Sequence, residues 1–228
     1  MLAFAALAAP ASAADRRYSV TDFDRVVVEG PDVVRLSTGG SSSAVASGSR
    51  EALDRVTIDV QGQTLRIRRN RTGWTGTPGA AAGTVTVELS TRTLRSARLI
   101  GPARLDVNGA QGLRVDFVVE GSGRLRATNV EADNLSLGLA GSGRIEVGGT
   151  AEILRAEVDG TGDVDAAGLA AQNATITTTS VGSLSFRVAD AVTITANGLG
   201  DITIFGRPSC TVRGLAADQV RCGVSDQR

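Results

Sequence analysis

The chain has 228 residues, 42% apolar and 21% charged, with 24 acidic side chains balancing 24 basic ones, the composition of a folded, soluble protein rather than a disordered one. Every basic residue is arginine and there is no histidine, so net neutrality argues against a nucleic-acid-binding domain, and the missing imidazole removes the commonest general base and metal ligand. Aromatic residues make up only 3%, whereas 28 glycines are spread at intervals, which points to many tight turns between short β segments.

The chain opens MLAFAALAAPASAADRR. An apolar run ending in the small-residue pattern Ala11-Ser12-Ala13 reads as a secretory signal over residues 1–14, cleaved near Ala13 or Ala14, with the usual basic n-region missing. No later run approaches the ~18 consecutive apolar residues of a membrane helix, and no cysteine follows the signal to carry a lipid. Residues 18–36 (YSVTDFDRVVVEGPDVVRL) and 52–69 (ALDRVTIDVQGQTLRIRR) alternate apolar and polar side chains and predict the strands of an irregular first region. NRTGWTGTPGAAAG at 70–83 is a loop by its Gly, Pro and Thr content. Its Trp74, near Arg66, Arg68, Arg69 and Arg71, is the conspicuous aromatic outside the strands, suited either to anchor a sugar or partner or to lie over the flank or open end of the core. Val85, Val87 and Leu89 resume the alternation at once, so a single elongated domain is expected.

From Gly101 onward the chain repeats itself. GSGRL at 121–125, GSGRI at 141–145, GTGDV at 160–164 and GLGDI at 198–202 recur about 20 residues apart, a solenoid period. Four and six residues into successive rungs stand Leu105 and Val107, Leu125 and Ala127, Ile145 and Val147, Val164 and Ala166, Leu184 and Phe186, Ile202 and Ile204. That is the period-2 signature of strands with one buried face. A second alternating strand follows in each rung, beginning with Val115, Phe117 and Val119 and with Leu135, Leu137 and Leu139. One rung cannot bury its inward side chains, but rungs stacked ~4.8 Å apart place like residues in columns and close a continuous core. The glycines mark a corner where positive φ and small bulk let one turn sit on the next. The expected fold is all-β, a right-handed parallel β-helix over residues 15–206, with 207–228 as a C-terminal cap.

The succession FDRVVVEGPDVVRL, LDRVTIDVQGQTLRI and the repeated GSG-(Arg/Asp)-hydrophobic rungs resembles the auto-transporter adhesin head family, the head GIN domain, over about residues 18–206. The resemblance implies a β-helical bacterial envelope protein, adhesin-like by the family's label, and brings no catalytic motif. With the signal, it implies a periplasmic, surface or secreted location.

Candidate sites follow from the rung register. Cys210 falls on the inward phase with Val212, and the following GLAADQV segment can return Cys222 to it; in an exported protein such a pair forms a disulfide. That bridge would hold a cap over an open parallel edge, which otherwise invites end-to-end homo-oligomer formation. Arg104, Arg124 and Arg144 occupy one outward position in three rungs, and Asp163 ends the ladder. Stacked like charges repel unless neutralised, either by Asp106 and Glu146 beside Arg126, or by a polyanion such as an acidic polysaccharide or lipopolysaccharide phosphate gripped by guanidinium forks. The enzymatic alternative is a carbohydrate-active protein using the outward carboxylates Asp163, Asp165 and Asp201. With neither histidine nor lysine, a serine hydrolase lacks its base. The glycine turns precede no helix, against dinucleotide binding, and carboxylates spaced about twenty residues apart cannot share calcium ions as nonapeptide β-rolls do. No cofactor or metal is expected, and the reading is an exported, non-catalytic structural or binding module.

Overall fold

The computed structural model describes residues 14–70 and 83–225. The first part contains β1 (Ala14–Tyr18), β2 (Arg25–Glu29), β3 (Val33–Thr38), β4 (Ser43–Gly48), a short helix α1 (Arg50–Asp54), β5 (Val56–Gln61), β6 (Thr64–Arg69), β7 (Thr86–Thr91) and β8 (Ser96–Ile100). Four long strands follow: β9 (Arg104–Gly121), β10 (Arg124–Gly141), β11 (Arg144–Gly160) and β12 (Asp163–Thr178). The chain ends with β13 (Leu184–Ala196), β14 (Ile202–Gly206), β15 (Ser209–Arg213) and β16 (Val220–Val224). Together they form a β-solenoid of about six turns with rungs about 20 residues apart.

The long strands are bent, and their burial pattern shows where. In β9, Leu105 and Val107 point inward, then Ala110, then Val115, Phe117 and Val119. Each change of phase is a corner, so a rung has a first limb, a short middle limb and a third limb. The bend after the first limb uses the left-handed backbone region, with φ of +89° at Gly109, +56° at Asn129 and +139° at Gly149; asparagine is the side chain that tolerates this best after glycine. The sequence pattern predicts two strands per rung joined by a connection. The structure places that connection inside the ladder, with Val130 paired to Ala110 and Glu131 to Gln111.

Pairing between rungs is parallel and in register. Leu105, Leu125, Ile145, Val164, Leu184 and Ile202 form one column, and none is more than 2% exposed. At the corner between rungs, a Cβ on Gly141 would lie 2.6 Å from the Gly121 carbonyl oxygen, so glycine is a steric requirement there as well as a conformational one. The fifth corner has Ser180 instead. Its hydroxyl donates to the Gly162 carbonyl (3.2 Å) and accepts from the Gly182 N–H (3.0 Å), while its own N–H donates to Thr178 Oγ1 (2.9 Å).

The irregular first region also joins the stack. β3 and β7 extend the first limb and β2, β6 and β8 the third, all in parallel. Antiparallel strands close that end: β4 and then β1 beyond β7, and β5 beyond β6. The helix α1 contributes buried Ala52 and Leu53, with Ser49 capping it by accepting from the Ala52 N–H at 3.2 Å. One fully buried carboxylate, Asp32, pins these pieces together. It accepts a fork from Arg69, with Nε at 3.1 Å and Nη2 on its other oxygen, and also the Val85 N–H at 3.1 Å. Its backbone carbonyl accepts from the Arg104 N–H at 3.0 Å. The same guanidinium donates to the Gly83 carbonyl at 2.9 Å, and the hydrogen bond to Asp32 raises the Arg69 pKa above its ordinary value.

At the other end, β14 pairs with β16 on the first limb while β15 lies beside β13 on the third. A Cys210–Cys222 disulfide, its cysteines 12 residues apart, ties β15 to β16. Replacing both cysteines by serine is expected to lower unfolding free energy by about 3 kcal/mol, the loop-closure value for a ring of this size. Urea titrations of the two proteins check this, and coincident midpoints would show that the bridge adds nothing.

Candidate functional site

The outer face of the first limb carries two neighbouring charge columns. In the first, Arg104, Arg124, Arg144 and Asp163 are consecutive ladder partners, so their Cα atoms follow the ~4.8 Å strand spacing. Two residues along each strand, on the same face, runs the second: Arg35, Asp106, Arg126, Glu146 and Asp165. Sequence reasoning placed the three arginines in one line, and the register does so.

Neutralisation along these columns is uneven. Arg144 Nη2 lies 2.6 Å from Asp163 Oδ2, Arg126 Nε 3.9 Å from Glu146 Oε2, and Arg35 Nη1 3.8 Å from Glu88 Oε1. Asp163 also accepts the Ser183 backbone N–H at 3.0 Å. That bond first, and Arg144 second, hold its carboxyl below the ordinary carboxylate range. Asp163 is therefore a firm counter-ion that takes Arg144 out of the ladder. Arg104 and Arg124 are exposed and, among the described residues, neither has a carboxylate within ion-pair distance or a side-chain hydrogen bond. The face is polarised along the solenoid axis: Arg35, Arg104, Arg124 and Arg126 against Glu88 and Asp106, then Arg144 against Glu146, Asp163 and Asp165.

Beside these columns runs a groove along the last residues of the first limb. Its larger part, about 600 Å³, has Arg35, Glu88, Asp106 and Arg126 on one side and Ser37, Asn108 and Thr128 along the other. It continues past Arg126 into a smaller hollow of about 200 Å³ lined by Glu146, Gly148 and Asp165. Asn129 Nδ2 donates to Asn108 Oδ1 at 2.8 Å, fixing the amide at the groove edge. No aromatic side chain lines either part among the described residues.

The carboxylates proposed for catalysis are engaged elsewhere. Asp165 accepts from the Ala167 N–H and the Ser185 hydroxyl, each at 3.1 Å, and Asp201 lies 3.6 Å from Arg221. A glycosidase general acid needs a raised pKa, whereas Asp163 is shifted the other way. Trp74 and Arg71 lie outside the described residues, as do residues 1–13 of the predicted signal. Sequence reasoning did not find the Asp32–Arg69 pin or the Ser37, Asn108 and Thr128 edge. The first had a signal, an acidic residue within the apolar stretch VVVEGPDVVRL; the second depends on where the rung bends.

Solved bacterial proteins share this fold. A "putative adhesin" from Bacteroides fragilis superposes with a TM-score of 0.78 at 17% identity, covering 93% of this chain and 97% of that one. A "putative lipid binding protein" from Parabacteroides distasonis gives 0.67 at 17% identity, with 96% and 98% covered. A "putative adhesin" from the same organism gives 0.64 at 19% identity, with 96% and 98% covered. At such identities the likeness is one of fold. No curated protein matches the sequence. The family described as "Putative auto-transporter adhesin, head GIN domain" matches residues 22–208, nearly the whole solenoid, and the chain belongs to that family.

Proposed function

We propose that this protein is an exported, non-catalytic binding module whose first-limb outer face takes a polyanion, an acidic polysaccharide or the phosphates of lipopolysaccharide. The observation that carries the reading is the pair Arg104 and Arg124: two exposed guanidiniums one rung apart, with no counter-ion among the described residues. Such a pair repels itself, and an anion bridging it relieves the repulsion while gaining charge-assisted, bidentate hydrogen bonds. The adjoining groove offers hydroxyl, amide and carboxylate groups suited to sugar hydroxyls. Family membership and the disulfide support an extracytoplasmic location, periplasmic or at the cell surface, because disulfides persist in oxidising compartments.

Retention on immobilised heparin and on purified lipopolysaccharide tests the reading and separates the two sources. The parent should bind at low salt and elute as salt screens the contacts. Arg104→Gln/Arg124→Gln should lose that retention while its unfolding free energy stays within ~0.5 kcal/mol of the parent, as for exposed sites without partners. A parent that fails to bind either polyanion at low salt, or a double variant that binds as well as the parent, contradicts the reading.

A further inference from the structure

Four strand edges terminate the solenoid among the described residues: β1 and β5 at the N-terminal end, β15 and β16 at the C-terminal end. An unpaired edge is a template for another strand unless charge or irregularity guards it. β1 has Arg16 at its centre, with Asp15 and Arg17 on either side; β5 has Asp59 within it; β16 has Arg221 and a register shift before Val224. β15, Ser209-Cys210-Thr211-Val212-Arg213, is regular and carries its only charge at its last residue.

Two further features meet at this edge. The core is incompletely covered there: Val192 and Ile194 are buried, while their ladder partners Cys210 and Val212 are exposed and half-buried respectively. The corner between rungs also changes character toward the same end. The position between the corner residues is Pro102 in the first corner, Ser122, Ser142 and Thr161 in the next three, then Val181 and Leu199, 56% and 77% exposed. Leu215, 96% exposed, lies two residues after the end of β15. Val181, Leu199 and Leu215 thus bring three exposed apolar side chains to the corner turns of this end, whereas a single one would need no explanation.

We propose that β15 is a self-association edge: two copies join tail to tail by antiparallel β15–β15 pairing about a two-fold axis at Thr211. The sequence of β15 fits its own reverse. Thr211 faces Thr211 of the second copy, a favourable cross-strand pair, Cys210 faces Val212, and Arg213 faces Ser209, so no like charges oppose each other. The same operation on β1 would set Arg16 against Arg16. Pairing continues the third-limb sheet from one copy into the next, covers Cys210 and Val212, and brings Leu215 over the partner's Arg207–Pro208 turn. A two-fold interface of this kind is closed and self-complementary, so it stops at a dimer.

Sedimentation velocity over a concentration series tests this. The parent should show a reversible monomer–dimer equilibrium, and Leu215→Ser should weaken it roughly tenfold or more by removing a covered leucine from each copy. Thr211→Arg and Thr211→Asp should each be monomeric, because each places like charges across the axis, with circular dichroism unchanged and melting equal to that of the parent diluted to its monomeric range. Mixed in equal amounts, the two variants should restore a dimer. A parent monomeric at every concentration overturns the proposal, as does a dimer that persists in both single variants or fails to re-form in the mixture.

Discussion

Ile145→Asp is expected to cost several kcal/mol and to abolish cooperative melting near the parent's transition. Ile145 is completely buried between Leu125 and Val164 in the inward column. A carboxylate there has apolar neighbours above and below and no donor to satisfy it, and an unpaired buried charge is among the few single changes with effects this large. Total stability for a domain is about 5–15 kcal/mol, so the loss is a large fraction of it. Position adds to the effect, since a solenoid is held by contacts between successive rungs and a defect in a middle rung uncouples both sides. Glu146→Ala, one residue along and on the outer face, is the control and should cost less than about 1 kcal/mol. Thermal melts followed by far-ultraviolet circular dichroism distinguish them; an Ile145→Asp protein that melts with the parent would show the column register to be wrong.

Asp32→Ala should cost about 3–5 kcal/mol, the usual effect of removing one partner of a buried ion pair. Asp32 is 0% exposed and the Arg69 side chain 16%, so the truncated protein keeps a largely desolvated guanidinium without its carboxylate. The Val85 N–H loses its acceptor as well. The loss should centre on the N-terminal end, where that carboxylate joins the turn before β3 to the end of β6 and the start of β7. Exchanging both charged residues for apolar ones of similar volume should recover much of the stability, because desolvating the pair offsets most of its attraction. Urea midpoints for Asp32→Ala and for Asp32→Leu/Arg69→Met test both statements, and a single variant as stable as the parent would remove Asp32 as an anchor.

The rungs were legible because burial on one face of a strand imposes a period of two, and Leu105, Leu125 and Ile145 recur with it at a constant offset from Gly101, Gly121 and Gly141. Phase is lost at a bend, which is why the middle limb around Val130 and Leu169 read as a connection although both side chains are fully buried. The arginine line was legible for the same reason as the core column, since outward residues inherit the rung register. Which arginines lack a counter-ion was not legible, because that depends on side-chain reach: Arg144 meets Asp163 one rung on, while Asp106, opposite Arg126 in the ladder, forms no ion pair with it among the described residues. Asp32 belongs to the same class, as its partner Arg69 lies 37 residues away in sequence.

The same distinction between arginines separates binding at a specific pair from a general effect of charge. Arg124→Gln and Arg144→Gln remove the same charge from the same column one rung apart, so any effect of net charge alone is equal in both. Binding of each variant to an acidic polysaccharide should be measured across a salt series. If a polyanion sits on the two unneutralised guanidiniums, Arg124→Gln loses most of the low-salt affinity and flattens its salt dependence, whereas Arg144→Gln, whose charge is already taken by Asp163, stays close to the parent. Equal losses in the two variants, or a larger loss in Arg144→Gln, would contradict the assignment.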